Sequence, residues 1–388
     1  LARKGAPLKI LVVVNSSWNI TNFRLELLDA LKCSGADITV LSPPGPEEAH
    51  ILESGFKFIP LYMDPKGLNP LKDIWTFILI LYNILFIKPH VVLSFTIKPN
   101  IYSGLACRLT RSTFIPNVAG LGVAFGRGPL TKFSATFLYR LALKRAHLVF
   151  FQNSEDRSFL VNQGLVSIER TDVLPGSGVN VEKFASTASD DAAAGGGAPL
   201  RFAMICRLIA DKGVREYVEA AKRVKNLFPG TEFILAGFVE PLHRRAILQK
   251  ELKEWDLVGA VSYVGSVSDV RPLLARADCI VLPSYYKEGT PRILLEAGAM
   301  GRALITTDLP GCRDTVEDGV SGYLCEPRSI DSLVEAIMLY CSLSELERRE
   351  MSKQSRQRIS ENFSVSIVIR KYLLAIENAL SRDLNNTG

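Results

Sequence analysis

Clustered histidines, closely spaced cysteines and long apolar runs are all missing from this 388-residue chain. Its four histidines, at positions 50, 90, 147 and 243, are dispersed, so each is expected to be structural or exposed rather than a base or a ligand. The seven cysteines, at 33, 107, 206, 279, 312, 325 and 341, show no short paired spacing. That pattern excludes a clear zinc site and suits unpaired thiols in a reducing compartment. An Asp-x-Asp metal site is absent too. The apolar run Ile74–Ile87 has fourteen residues, short of the roughly 20 that cross a bilayer. No secretory leader is legible, because Arg3-Lys4 precedes only a short strand-like run and then polar Asn15-Ser16-Ser17. Export is not expected.

Negative charge is also missing over a long stretch. The 81 residues from Ile74 to Ser154 hold no Asp or Glu but nine cations: Lys88, Lys98, Arg108, Arg111, Arg127, Lys132, Arg140, Lys144 and Arg145. Trp75, Phe77, Tyr82, Phe86, Phe133, Phe137 and Tyr139 are interleaved with them. Residues 1–185 carry 20 Lys or Arg against 13 Asp or Glu, so the net charge of +6 resides in the first half. Such a segment suits an anionic lipid surface or simply balances its own fold. Ile74–Ile87 within it reads as a buried helix of its domain or as a helix that dips one face into a membrane interface.

What is present is a pattern that occurs twice. Lys9–Val14 is an apolar strand followed by a polar turn and a helix near Phe23–Ser34, and Arg201–Cys206 repeats the plan about 190 residues later. Further apolar runs at 37–41, 91–94, 148–151, 232–236 and 303–306 alternate with helical segments, as parallel sheets require. At 47% hydrophobic the chain can fill two cores. Ala185–Pro199 lacks any core-forming pattern and reads as a linker. The expected plan is a first domain over 1–185, a linker over 186–199, a second domain over 200–364 and a final helix from 365.

The chemistry concentrates in the second half. Cys279–Pro283 reads as a buried strand leading into Tyr286-Lys-Glu-Gly-Thr-Pro-Arg-Ile-Leu-Leu-Glu296. Thr290 has an N-cap side chain and Pro291 suits the first helical position, which puts Glu288 on a loop and Glu296 on a helix wall. The two carboxylates then stand on the order of 10 Å apart, suited to gripping two ends of one polyhydroxylated ligand. The helix N-terminus between them favours an anion. Arg207 and Lys212 follow the strand at 201–206 in a turn, and two fixed cations there suit a diphosphate.

These motifs resemble glycosyltransferase family 4, together with Lys9–Val14, Asn22-Phe-Arg24, Gly120-Leu-Gly122, Phe151-Gln-Asn153, Pro175-Gly-Ser-Gly-Val179, Asp308-Leu-Pro-Gly311 and Asp318-Gly-Val-Ser-Gly322. The similarity is greatest to members that extend lipid-linked oligosaccharides for bacterial surface glycans. It implies the GT-B fold: α/β, with two doubly wound Rossmann-like domains facing across a cleft, and a last helix, 365–380, that returns to the first domain. It implies retaining transfer of a hexosyl or N-acetylhexosaminyl group from a nucleotide sugar, UDP-linked, with no metal or other cofactor. In that frame Glu288, Arg207 and Lys212 are catalytic. Glu288 engages the sugar hydroxyls, Glu296 the ribose, and the two cations the diphosphate. Gly289, Thr290, Pro291, Arg292, Gly120 and Gly122 complete donor binding. Acceptor contacts are expected from 15–19, 95–100 and 117–128.

Two departures stand out. Asn15-Ser-Ser-Trp-Asn19 replaces the double glycine frequent in the first turn, and Ala119 stands where many members have histidine. Three readings follow: transfer to a lipid-diphosphate-linked saccharide by an enzyme peripheral at the cytoplasmic membrane face, transfer to a soluble small molecule, or a silent binding protein on the same fold. No nucleic-acid motif is present, so nucleic acid is not an expected partner.

Overall fold

The computed structural model describes residues 7–64, 67, 69–110, 112–120, 129–185, 199–241, 243–286 and 289–385. The chain divides into two compact units, Leu1–Gly178 with Val365–Gly388, and Val179–Ser364.

The first unit holds strands β1 (Leu8–Val13), β2 (Ala36–Ser42), β3 (Lys57–Pro60), β4 (Val91–Phe95), β5 (Thr113–Val118), β6 (Val149–Phe151) and β7 (Thr171–Val173). They form one parallel sheet in the order β3-β2-β1-β4-β5-β6-β7. Parallel strands need helical crossovers, and these bury both faces of the sheet. β1 shows the consequence: Leu8, Ile10 and Val12 enter one apolar cluster, while Leu11 and Val13 enter another. The first cluster is completed by the final helix, Val365–Asn385, through Val368, Tyr372, Ala375, Ile376 and Leu380. Helices Pro70–Ile87 and Ile97–Thr110 cover the opposite face.

Strands β8 (Leu200–Ile205), β9 (Thr231–Ala236), β10 (Ser262–Tyr263), β11 (Cys279–Leu282), β12 (Ala303–Thr307) and β13 (Gly322–Cys325) build the second unit. Their order is β10-β9-β8-β11-β12-β13, again parallel. The helix Val214–Leu227 packs on this sheet through Val214, Tyr217, Val218, Ala221 and Val224, buried at three- and four-residue spacing.

Several expectations are corrected. The division falls between Gly178 and Val179, not after Ala185: the Val179 N–H donates to the Phe363 carbonyl at 2.9 Å, which ties this stretch to the second unit. Residues 186–198 lie outside the described residues. The single helix expected over 23–34 is two helices, Ser17–Phe23 and Leu25–Cys33, interrupted at Arg24, whose φ is −129°. Ile74–Ile87 is buried along one face only. Its helix starts at Pro70, capped by Asn69, and buries only Thr76, Ile80, Asn83 and Ile84. Leu71, Ile74, Trp75, Ile78, Tyr82, Leu85 and Phe86 are all exposed. Asn153 has a structural role, since its side chain accepts from the Asp156 N–H and caps the helix Ser154–Asn162.

Candidate active site

In the second sheet β8 and β11 are neighbours, and the order of strands runs outward in opposite directions from that pair. This is the topological switch point, where the loops after two adjacent strands diverge and leave a crevice at the carboxyl ends. Arg207 and Lys212 lie on the loop after β8; Glu288 and Glu296 belong to the segment after β11. The fold therefore brings the two halves of the sequence motif to one edge.

The two loops are locked together. Gly213 has φ +78°, and a Cβ there would overlap the Pro283 carbonyl oxygen. Neither the conformation nor the space suits another residue. Beside it the Tyr285 N–H donates to the Asp211 carbonyl at 2.9 Å. The result is a convergence of charge: the Arg207 guanidinium carbon and the Lys212 Nζ each lie 5.7 Å from the centroid of the Tyr286 ring. An aromatic ring near two cations favours both, and their joint field favours a ligand with more than one negative charge.

Neighbouring acids set the direction of that field. Arg207 Nη1 is 3.4 Å from Glu240 Oε2, which comes from the loop after β9. Asp211, adjacent to Lys212 in sequence, is 8% exposed and is ion-paired with Arg245. Tyr285 is held above its ordinary pKa by burial and then by the Glu216 and Asp211 carboxylates, so it remains a neutral phenol, with Arg328 4.7 Å from its ring centroid.

The helix after β11 is Arg292–Ala299, one residue shorter at its start than expected. Pro291, not Thr290, is the N-cap, with φ −63° and ψ 118°. Pro291 itself keeps an extended ψ, so the first helical residue is Arg292 and Thr290 stands one position before the cap. Gly289 and Pro291 are buried, and Arg292 and Glu296 are half-buried. Arg292 Nε donates to Glu296 Oε1 at 2.7 Å across one turn, which fixes the carboxylate on the helix wall. Glu288 lies outside the described residues. Glu240, Tyr286 and Arg245 were missed from the sequence. Only the position of Glu240 after an apolar strand could have flagged it.

The first unit has its own switch point between β1 and β4. Just past β4, Thr96 has φ +74°, and its buried Oγ1 makes no hydrogen bond. A β-branched residue in that region is strained, and such strain concentrates at functional positions. Next to it Arg24 is 2% exposed, with its guanidinium carbon 4.3 Å above the Phe95 ring. Asn100 Nδ2 donates to the Asn117 carbonyl, and Asn117 Nδ2 donates to Tyr372 Oη at 3.0 Å. Burial pushes the Tyr372 phenol up to about 12, opposed by Arg24. Gly120 follows β5 with φ +120°, a conformation open to glycine. Gly122 lies outside the described residues.

Two parallel doubly wound sheets with charged loops at the switch point define a glycosyltransferase of the GT-B class, and the comparisons agree. Residues 196–358 match the family described as glycosyl transferases group 1, and residues 9–153 match the one described as glycosyl transferase 4-like. Two glycosyltransferase family models thus match the chain in turn, one in each unit, and the chain is a glycosyltransferase.

Among its relatives is the N,N'-diacetylbacillosaminyl-diphospho-undecaprenol alpha-1,3-N-acetylgalactosaminyltransferase of Campylobacter jejuni. It is 27% identical over 92% of this chain and 94% of that protein. The UDP-Gal:alpha-D-GlcNAc-diphosphoundecaprenol alpha-1,3-galactosyltransferase of Escherichia coli is 26% identical over 72% of each. A glycosyltransferase from Rickettsia africae has the same fold at TM-score 0.77, with 20% identity over 96% of this chain and 99% of that one. Anabaena HepE, solved with UDP and glucose, gives TM-score 0.76, with 17% identity over 96% and 100%.

Replacing Gly213 tests the lock between the loops. The left-handed conformation alone costs a non-glycine residue about 1–2 kcal/mol, before the overlap with Pro283. Gly213→Ala is expected to lower the unfolding temperature of the second unit in scanning calorimetry. An unchanged transition would mean that the turn is not held there.

Proposed function

We propose that this enzyme transfers a sugar, with retention, from a UDP-linked donor to a saccharide carried on a lipid diphosphate. The observation that carries the donor half is the convergence of Arg207 and Lys212 on Tyr286 at the switch point. There the leaving diphosphate would meet two cations and the N-terminus of Arg292–Ala299. Charge-assisted bonds contribute about 1.5–3 kcal/mol each. Two of them supply a large part of the roughly 8 kcal/mol of a micromolar nucleotide affinity. Glu296, oriented by Arg292, takes the ribose; Glu288 takes the hydroxyls of the transferred sugar. Attack comes from the leaving-group face, and the donor phosphate accepts the acceptor's proton, so positioning and electrostatics do the work.

The acceptor half rests on the two undecaprenol-diphosphate transferases among the relatives and on the exposed helix Pro70–Ile87. By length and composition alone that helix could span a membrane, but Ile80 and Ile84 pack it into its unit. We assign its exposed stripe of Leu71, Ile74, Trp75, Ile78, Tyr82 and Leu85 to a membrane interface at the cytoplasmic face, with Lys72 and Lys88 exposed near its ends. Asp73 is bonded to Lys98 at 2.6 Å. Exposed Arg140, Lys144 and Arg145 would add about 1 kcal/mol each toward anionic lipid. Of the aromatic residues expected at that surface, Tyr139 is instead buried, and the side chain of Phe133 lies outside those described.

Glu288→Gln is expected to leave nucleotide affinity nearly intact and to cut turnover steeply. Arg207→Ala and Lys212→Ala should each weaken UDP binding about tenfold or more in calorimetry. Undiminished affinity in both would place the diphosphate elsewhere. Turnover is expected to survive chelation, because the two cations take the role of a divalent ion; activity that magnesium restores would count against this. For the surface, Trp75→Ser/Ile78→Ser/Tyr82→Ser should stop flotation with anionic vesicles and raise the KM for a lipid-linked acceptor while sparing donor hydrolysis. Flotation equal to the parent's would favour a soluble acceptor.

A further inference from the structure

The amino ends of the strands, at the opposite edge of the first sheet from Thr96 and Gly120, carry a second concentration of positive charge. A cavity of about 370 Å³ opens there, lined in part by Arg108, Ser112, Arg145, His147 and Arg170. Its volume is in the range of small-molecule sites. Three consecutive helix-to-strand turns build it. Arg108 is in the last turn of the helix Ile97–Thr110, and Ser112 leads into β5; Arg145 and His147 lead into β6; Arg170 leads into β7.

The bland explanation is that these arginines serve helix C-termini. Arg145 Nη1 donates to the Arg108 carbonyl at 3.5 Å, and Arg170 Nη1 donates to the Lys144 carbonyl at 3.2 Å. Each helix end offsets only about half a charge. The helices Ile97–Thr110 and Pro129–Leu143 together therefore balance about one of the three guanidinium charges. No carboxylate is among the described residues lining the cavity. Cys107, also in the wall, is kept a neutral thiol by burial. Glu169 stands next to Arg170 in sequence, but the cavity wall does not include it. About two positive charges thus remain unmatched around one hollow, and each guanidinium has five donors in a planar fork.

We propose that this cavity is a binding site for a phosphate group, separate from the donor site, in which Arg108, Arg145 and Arg170 clamp a phosphomonoester or diphosphate and Ser112 and His147 line the floor. Guanidinium groups recognise such anions bidentately. The group could be borne by a lipid headgroup or by a soluble phosphate, and both present the same oxygens.

The first arm of the test titrates inorganic pyrophosphate into the full chain carrying Arg207→Ala and Lys212→Ala, so that the cations assigned to the donor do not contribute. One-to-one binding that weakens at least tenfold when Arg145→Gln and Arg170→Gln are added supports a soluble phosphate. The second arm compares flotation with vesicles of phosphatidic acid in phosphatidylcholine. Flotation that falls in Arg145→Gln/Arg170→Gln, and that pyrophosphate displaces in the parent, supports the headgroup; a fall with no displacement belongs to general surface charge and counts against the site. The proposal is overturned if the substituted chain equals its parent in both arms, or if the parent binds neither probe. Should the double variant lose its helical circular dichroism, Arg108→Gln, whose side chain makes neither carbonyl bond, repeats both arms.

Discussion

The second unit depends on one close approach of backbone to backbone. β8 and β11 are adjacent in a parallel sheet, and the turn after β8 passes so near the Pro283 carbonyl that only glycine fits at position 213. From that contact the rest follows. The Asp211 carbonyl is reached by the Tyr285 N–H, and Tyr286 is brought under Lys212 and Arg207. Glu240 braces the arginine from the third loop. The charged groups thus follow strands that are buried where they enter these loops, over Phe202–Ile205 and Cys279–Leu282, and a rigid base of this kind preorganises the groups it carries.

The first unit distributes its charge and its apolar surface by edge and face. Its carboxyl edge carries a strained Thr96, a buried Arg24 and an amide network that reaches Tyr372 on the last helix. Its amino edge carries three arginines around a cavity. Along one face runs an apolar stripe on the helix Pro70–Ile87. The 81-residue stretch without acid is therefore not one surface. Part of it serves helix ends, part is exposed near the stripe, and Lys98 is satisfied by Asp73 from just outside the stretch.

Much of this was legible in the sequence because parallel sheets buried on both faces are written as short continuous apolar runs. Lys9–Val14 and Arg201–Cys206 locate β1 and β8 to within a residue. Arg207 and Lys212 were legible as a pair because they follow such a strand. What failed were features decided by tertiary contact. Hydropathy cannot separate a buried helix from an exposed one when its residues are apolar nearly all round, as in Ile74–Ile87. Val179 joins the second unit through a hydrogen bond to Phe363, a partner 184 positions away that no local pattern marks. Glu240 is an ordinary surface acid until β9 sets it beside Arg207. The need for glycine at 213 comes from the distant Pro283 carbonyl.

The central claim is that the crevice between the loops after β8 and β11 receives the diphosphate of the sugar donor. A crystal structure with UDP bound tests it most directly. The account predicts diphosphate oxygens at about 3 Å from Arg207 and Lys212, beside the Tyr286 ring, with the ribose against Glu296. UDP seated elsewhere, with Arg207 still on Glu240 and no phosphate near Lys212, would contradict it.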